Sequence, residues 1–321
     1  MVSDKTDLQQ EELIPLLVLV GPTAVGKTEI SISLCKKLGG EVVSADSVQV
    51  YRYLDIGSAK PTIEERQGIP HYLIDIVDPT VNFTVFDYQN LARQSISDIY
   101  KRGKLPVLTG GTGLYIKAVV DEYNFRSGKV NPLIRKRLEE ILELRGKEYL
   151  YRFLQQIDPI TAQKVHPNDI RRIMRAFEFY YLTGEPISLQ QKLTKTKKSR
   201  YNLIMIGLTT KRNILYERIN ERADLMIKRG FLEEVKGLLE KGYSSDLKSL
   251  QSLGYSHMIK YLQGKWDWEN AITNFKRDTR RFAKRQLTWF RADKRIFWYE
   301  IDEQRDLNPI LESICSRVEG Y

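Results

Sequence analysis

The stretch Leu16-Leu17-Val18-Leu19-Val20-Gly21-Pro22-Thr23-Ala24-Val25-Gly26-Lys27-Thr28 runs an apolar segment into a G-x-x-x-x-G-K-T loop, and a helical pattern follows from Glu29 to Leu38. Strand, loop and helix in that order make a phosphate-binding loop. Its backbone N–H groups at a helix N-terminus surround a pyrophosphate, Lys27 adds a point charge, and the Thr28 hydroxyl is suited to hold Mg²⁺. All of Gly21, Pro22, Thr23, Ala24, Val25, Gly26, Lys27 and Thr28 are expected to take part. The loop alone does not name its ligand, since a kinase, an NTPase and a transferase acting on a diphosphate ester would each satisfy it.

Outward from the loop, strand-like and helix-like segments alternate: Glu41 to Ser44, His71 to Ile76, a helix from about Phe86 to Lys101, Pro106 to Thr109, and a helix from Leu114. This rhythm predicts an α/β fold with a doubly wound parallel sheet, a P-loop nucleotide-kinase-like core. From about Glu122 the strand signals stop. Helical patterns cover Asn131 to Arg145, Lys147 to Ile157 and Asp169 to Leu182, and the polar, basic stretch Lys192 to Arg200 reads as a linker. Strand-like Leu203 to Gly207 then resumes, with helices to about Trp289 and a last strand-like Ile296 to Tyr299. The expected division is a core of residues 1–121 and 201–321 interrupted by a helical insertion of residues 122–200.

With 321 residues and 42% hydrophobic content, the chain can bury a sizeable core. No apolar run reaches a membrane span and the first residues are polar and acidic, so a cytoplasmic protein without a membrane partner is expected. A monomer is the expected state, though no residue pattern fixes it. Cys35 and Cys315 are far apart in sequence and suggest neither a zinc site nor a disulfide framework. A net charge of +10 favours a polyanionic partner. Between Lys276 and Arg291 there are seven basic residues (Lys276, Arg277, Arg280, Arg281, Lys284, Arg285, Arg291) against Asp278 alone.

Asp46 follows the second strand, and loops at the carboxyl ends of parallel strands share one crevice, so it is expected to face the phosphate loop as a metal ligand, a general base or a turn cap. Thr109-Gly110-Gly111-Thr112-Gly113 is a second glycine-rich strand-to-helix turn at the same edge. Asp75 is Walker-B-like, and neither it nor Asp78 can be assigned to a metal from the sequence. His166-Pro167-Asn168-Asp169 signals a helix start, followed by Arg171, Arg172 and Arg175 as either a solvated or a phosphate-contacting face. Arg218 and Arg222 lie one turn apart and suit either leaving-group charge or surface pairing with Glu217 and Glu221. Trp289 and Phe290 fit a core position better than a base-stacking one.

Taken in order, GPTAVGKT, SADSVQVYRYLDIGSAKPT, GGTGLYIKAV, HPNDIRRIMRAFE, ERINERADLM, QSLGYSHMIKYL and KRQLTWFR closely resemble the bacterial tRNA dimethylallyltransferases, from about Leu16 to Arg291. The resemblance implies that the phosphate loop holds dimethylallyl pyrophosphate and not ATP. The dimethylallyl group would pass to N6 of the adenosine immediately 3′ to the anticodon, in the anticodon stem-loop of tRNA. It implies Asp46 as general base, Thr28 as the Mg²⁺ and pyrophosphate contact, and Arg222 as a pyrophosphate contact. It also sets Asp46, Ser47, Val48 and Gln49, Thr112, Arg171, Arg172 and Arg175, Gln251, Gly254 and Tyr255, and Lys284, Arg285, Gln286 and Arg291 against tRNA. Ser256 stands where many members of that family carry Lys or Arg. Against this reading stand an isopentenyltransferase for free adenine nucleotide, a small-molecule P-loop kinase and a non-catalytic RNA-binding protein.

Overall fold

The structure is a computed structural model and describes residues 13–121, 131–189, 192, 199–301 and 307–320. Most of the stretch Lys192 to Arg200 lies outside these described residues. The chain forms two compact units, Met1–Val120 with Arg200–Tyr321, and Asp121–Ser199.

The first unit is built on a six-stranded sheet of strands β1 (Ile14–Val20), β2 (Gly40–Ser44), β3 (His71–Tyr72), β4 (Leu105–Gly110), β5 (Tyr201–Thr209) and β6 (Ile296–Glu300), in the order β3-β2-β4-β1-β5-β6. Every pairing is parallel. A parallel sheet is covered on both faces, which is why β1 reads as an unbroken apolar run instead of an alternating one. Side chains still alternate along the strand. Leu16, Val18 and Val20 pack in one layer with Val43, Leu108, Tyr88 and Ile96. Leu17 and Leu19 pack in the other with Ile30, Leu34, Leu311 and Ile314.

The two covers are therefore distinct. Helices α2 (Val85–Lys101) and α3 (Gly113–Val120) supply the first. Helix α1 (Lys27–Leu38), together with a C-terminal helix at Asn308–Glu319, supplies the second. Helix α2 starts where the sequence prescribes it, with Thr84 and Asp87 forming a reciprocal capping box.

The strand expected over His71 to Ile76 is a correction: only His71 and Tyr72 pair as β3. Leu73 and Asp75 take φ of 63° and 58°, a left-handed backbone that strand pairing excludes, and the chain turns toward the Tyr51↔Val77 bridge.

The second unit contains α4 (Pro132–Ile157), α5 (Pro159–Ala162) and α6 (Ile170–Thr183) around Leu138, Leu150, Leu154, Ile173, Met174 and Phe177. Gly146 breaks α4 with φ 77° and ψ 171°, matching the interruption between Arg145 and Lys147 in the sequence pattern. Asp169 caps α6 by accepting from the Arg172 N–H.

After β5, the first unit continues through α7 (Arg212–Lys228), α8 (Phe231–Glu240), α9 (Tyr255–Leu262) and α10 (Trp268–Arg291), and ends on α11 (Asn308–Glu319). No helix among the described residues is long and apolar enough to cross a membrane.

Candidate active site

The carboxyl ends of β1, β2 and β4 are adjacent, so their loops meet. The turn after β2 lies directly on the turn after β4. Ala45 N–H donates to Thr109 O at 2.7 Å, and Thr112 N–H donates to Ala45 O at 3.0 Å. Glycine is required at 110 because a Cβ there would lie 2.2 Å from Ala45 O. Thr112 Oγ1 accepts the Ser47 N–H at 3.0 Å, binding the two turns a second time.

Asp46 is held in the same turn. Its Oδ1 accepts the N–H groups of Val48 at 2.8 Å and Gln49 at 3.3 Å, the geometry of an Asx turn. Oδ2 accepts nothing among the described residues, which leaves one oxygen of a fixed carboxylate available. The cap and general-base readings of Asp46 are thus compatible, one on each oxygen.

Opposite, the phosphate loop is tied at Thr23. Its N–H donates to Gln286 Oε1 at 2.9 Å, and Gln286 Nε2 donates to Gly111 O at 2.9 Å. Arg222 Nη1 on α7 donates to Thr23 Oγ1 at 3.3 Å. Lys27 Nζ donates back to the carbonyls of Gly21 and Pro22 at 3.0 and 2.8 Å. Burial, and secondarily the Arg222 charge, push the Lys27 ammonium down to about 7, while Asp46 acts in the opposite direction. Arg222 is itself held below its ordinary value by burial, with Asp46 favouring its charge. Lys27, Arg222 and Asp46 therefore act on one another in a single recess, and neither Lys27 nor Arg222 has a direct carboxylate partner among the described residues.

The recess is a cleft of about 610 Å³ that includes the phosphate loop, Asp46, Thr109, Arg218 and Arg222. Against it lies a smaller slot of about 100 Å³ with Val48, Ala223, Met226, Phe275 and Phe282 in its walls. Thr23, Asp46 and Arg222 line both. An apolar slot between a carboxylate and a cation suits a short hydrocarbon carrying an anionic group.

The donor set suits Mg²⁺. Thr28 is exposed in the cleft in the first turn of α1, and Thr109 Oγ1 is buried there without a hydrogen-bond partner. A hard cation takes such neutral oxygens together with ligand phosphate oxygens and water. No cluster of three or more His, Cys, Asp or Glu suited to a metal occurs among the described residues. Asp75 pairs with Lys60, which also holds Asp55 at 2.5 Å. Asp78 accepts Thr80 N–H at 3.0 Å and the Tyr243 hydroxyl at 2.8 Å. Neither carboxylate lines the cleft.

The remaining expected positions separate by exposure. Gln251 is exposed, but Gly254 is buried and Tyr255 fully so, with its hydroxyl donating to Glu234 at 2.7 Å. Neither presents an exposed side chain, and Tyr255 serves as a packing and hydrogen-bonding partner inside the protein. Gln286, 6% exposed, uses both ends of its amide inside the protein, so it too joins the support of the site. The basic stripe of α10 divides. Lys276 pairs with Asp224 at 2.6 Å, Arg277 and Arg281 pair with Asp278 at 3.0 and 3.3 Å, and Arg280 donates to Asn220 at 2.7 Å. Lys284, Arg285 and Arg291 are exposed and have no carboxylate partner among the described residues. Phe290 is core at 3% exposure, whereas Trp289 is 45% exposed.

On α6, Arg172 pairs with its own cap Asp169 at 3.3 Å, and Arg175 pairs with buried Glu178 at 3.5 Å, a carboxylate that Arg135 also holds at 2.8 Å. Arg171 is exposed and carries no carboxylate partner among the described residues. Thr109 belongs to the second glycine-rich turn that the sequence sets at this edge, whereas the bridging role of Gln286 is not legible there. The motif KRQLTWFR contains Gln286, but nothing in its spacing turns that glutamine inward.

The IPP transferase family profile matches residues 49–293. The chain is 51% identical to the tRNA dimethylallyltransferase of Alkaliphilus metalliredigens, covering 95% of this chain and 97% of that one. It is 49% identical to that of Carboxydothermus hydrogenoformans, covering 94% and 97%. Among solved structures, it resembles the tRNA isopentenylpyrophosphate transferase of Bacillus halodurans with a TM-score of 0.72, at 44% identity, covering 96% of this chain and 97% of that one. It also resembles a eukaryotic dimethylallyltransferase acting on tRNA with a TM-score of 0.80, at 30% identity, covering 94% and 77%. With its fold, its cleft and these likenesses together, the chain belongs to the IPP transferase family.

Proposed function

We propose that the chain transfers a dimethylallyl group from dimethylallyl pyrophosphate to tRNA, at N6 of the adenosine immediately 3′ to the anticodon, and releases pyrophosphate. The observation that carries the reading is the placement of Asp46 and Arg222 on a shared apolar slot beside the phosphate loop. A kinase needs no such slot, while an allylic donor needs a dry place for its five carbons next to the cations that take its leaving group.

The chemistry follows from the residue types. The adenine N6 lone pair is delocalised into the ring, so the amine is a weak nucleophile until a carboxylate accepts its proton. As N6 forms its bond to the allylic carbon, the C–O bond to pyrophosphate breaks and the N6 proton passes to Asp46 Oδ2. Negative charge grows on the departing oxygen, where Lys27, Arg222 and the loop N–H groups oppose it. Thr28, with Thr109 nearby, would hold Mg²⁺, whose charge further neutralises the pyrophosphate when bound. The adenine must leave the anticodon-loop stack to reach the cleft, as enzymes acting on bases require.

Exposed Lys284, Arg285 and Arg291 on α10, and separately Arg171 on α6, are the cations best suited to the RNA backbone, because their charge is not already met by a carboxylate. Incubating the protein with labelled dimethylallyl pyrophosphate and either tRNA or AMP tests the reading. Label should enter tRNA and, after digestion, appear in a single N6-substituted adenosine. Label in AMP but not in tRNA would replace the RNA with a free nucleotide.

A further inference from the structure

Glu234 lies on α8, outside both the cleft and the slot, yet its carboxylate holds their wall. Oε2 accepts the N–H groups of Asp55 at 3.0 Å and Ile56 at 2.7 Å, and Oε1 accepts the Gly57 N–H at 3.2 Å and the Tyr255 hydroxyl at 2.7 Å. No lysine or arginine pairs with it among the described residues. Its charge is met by three consecutive amides and one hydroxyl, a nest of the kind that binds anions.

The loop it holds leads to the reacting groups. Gly57, Ser58 and Ala59 line the slot, and Ser58 and Ala59 also line the cleft. Gln49 Nε2 donates to the carbonyls of Ser58 and Ala59 at 3.3 and 3.2 Å, and the Gln49 N–H is one of the two donors that fix Asp46 Oδ1. Gly57 is pressed against aromatic rings from α8 and α9, where a Cβ would lie 2.1 Å from Phe231 and 2.7 Å from Tyr255.

We infer that Glu234 is a positioning residue for group transfer: by gripping residues 55–57 it fixes the slot wall at 57–59 and, through Gln49, the Asp46 turn, so that it sets both alignment and the length of hydrocarbon admitted. The inference rests on the prenyl-transfer reading above. Phosphate-loop contacts come from other elements, so pyrophosphate binding should not depend on it.

Glu234→Gln tests this sharply, because both carboxylate oxygens accept, and an amide would turn its own N–H₂ onto donors. In a folded Glu234→Gln protein, kcat with dimethylallyl pyrophosphate should fall by about 10- to 100-fold, the cost of a small misalignment. Donor KM should stay nearly unchanged, and the turnover ratio of the ten-carbon geranyl pyrophosphate to dimethylallyl pyrophosphate should rise. Tyr255→Phe keeps the three amide bonds and should move kcat and the ratio the same way by less, which preserves the test if Glu234→Gln does not fold. Melting temperature is recorded for each variant. A lowered melting temperature with unchanged kcat and chain-length ratio in whichever variants fold would overturn the inference and make Glu234 a purely structural staple. Wild-type protein that fails to prenylate tRNA overturns the function reading, and the inference with it.

Discussion

Two pairs of cations show how differently basic side chains are used in this molecule. On α6, Arg172 and Arg175 are answered by Asp169 and Glu178 and are largely spent on the protein's own structure. At the sheet edge, Arg222 donates to a threonine hydroxyl and stands with Lys27 in a recess where the facing carboxylate of Asp46 is held by backbone amides. A cation kept half-buried without a carboxylate partner is costly to the fold, and it is retained where an arriving anion will meet it. Counting basic residues along the sequence does not separate these cases; locating their carboxylates does.

The comparison breaks most visibly at Asp46. Asp46→Asn keeps the turn acceptor on one side but cannot take the N6 proton, so single-turnover prenylation should fall by about 10² to 10⁴ with both substrates still bound. Rapid-quench measurement with prebound donor and tRNA checks this, and near-normal turnover would remove the general-base role. Arg222→Ala should cost about 10² to 10³ in the same assay, since it removes a preorganised charge from the leaving group. Arg175→Ala should leave chemistry untouched and lower thermal stability, because Glu178 loses one of its two partners.

Lys27 sharpens the contrast through pH. With its free-protein value near 7, it has released its proton above that pH, and a bound pyrophosphate favours the charged form and restores it. Donor binding should therefore take up a proton above pH 7, and affinity should weaken by up to about tenfold per pH unit until the bound-state value is reached. Below pH 7 the free protein already holds the proton and this dependence should flatten. Calorimetry in buffers of different ionisation enthalpy measures the uptake, and Lys27→Arg should abolish this component.

The smallest expected effect is on RNA. Arg171→Ala should reduce the log–log salt slope of anticodon stem-loop binding by about 0.7 to 0.9, one phosphate contact, whereas Arg172→Ala, already paired to Asp169, should change it less. Filter binding across a salt series distinguishes them, and equal slopes for both would erase the distinction between paired and unpaired cations.

Much of this is legible in the sequence. The β1 run with its glycine loop carries a local signal, since strand, loop and helix are contiguous, and the break at Gly146 and the cap at Asp169 are equally local. The position of Asp46 in the crevice follows from parallel topology, which brings strand ends together. What escaped depends on contacts distant in sequence. Gln286 meets Thr23 across 263 positions, and Glu234 reaches the loop at 55–57 across 177 to 179. The shortened β3 escaped because left-handed Leu73 and Asp75 answer to tertiary surroundings, Leu73 buried in the core and the Asp75 N–H on the Gln49 carbonyl at 3.0 Å, that no propensity of those residues announces.

The central claim is that the phosphate loop with Lys27 and Arg222 receives a prenyl pyrophosphate and not ATP as its reacting ligand. Supplying the protein with Mg²⁺, tRNA, dimethylallyl pyrophosphate and γ-labelled ATP together, and following both labels, tests it most directly. The account predicts dimethylallyl-adenosine in the RNA with stoichiometric pyrophosphate release, lost in Lys27→Ala and Arg222→Ala, while ATP remains intact. Transfer of the γ-phosphoryl group with no prenylated RNA would contradict it.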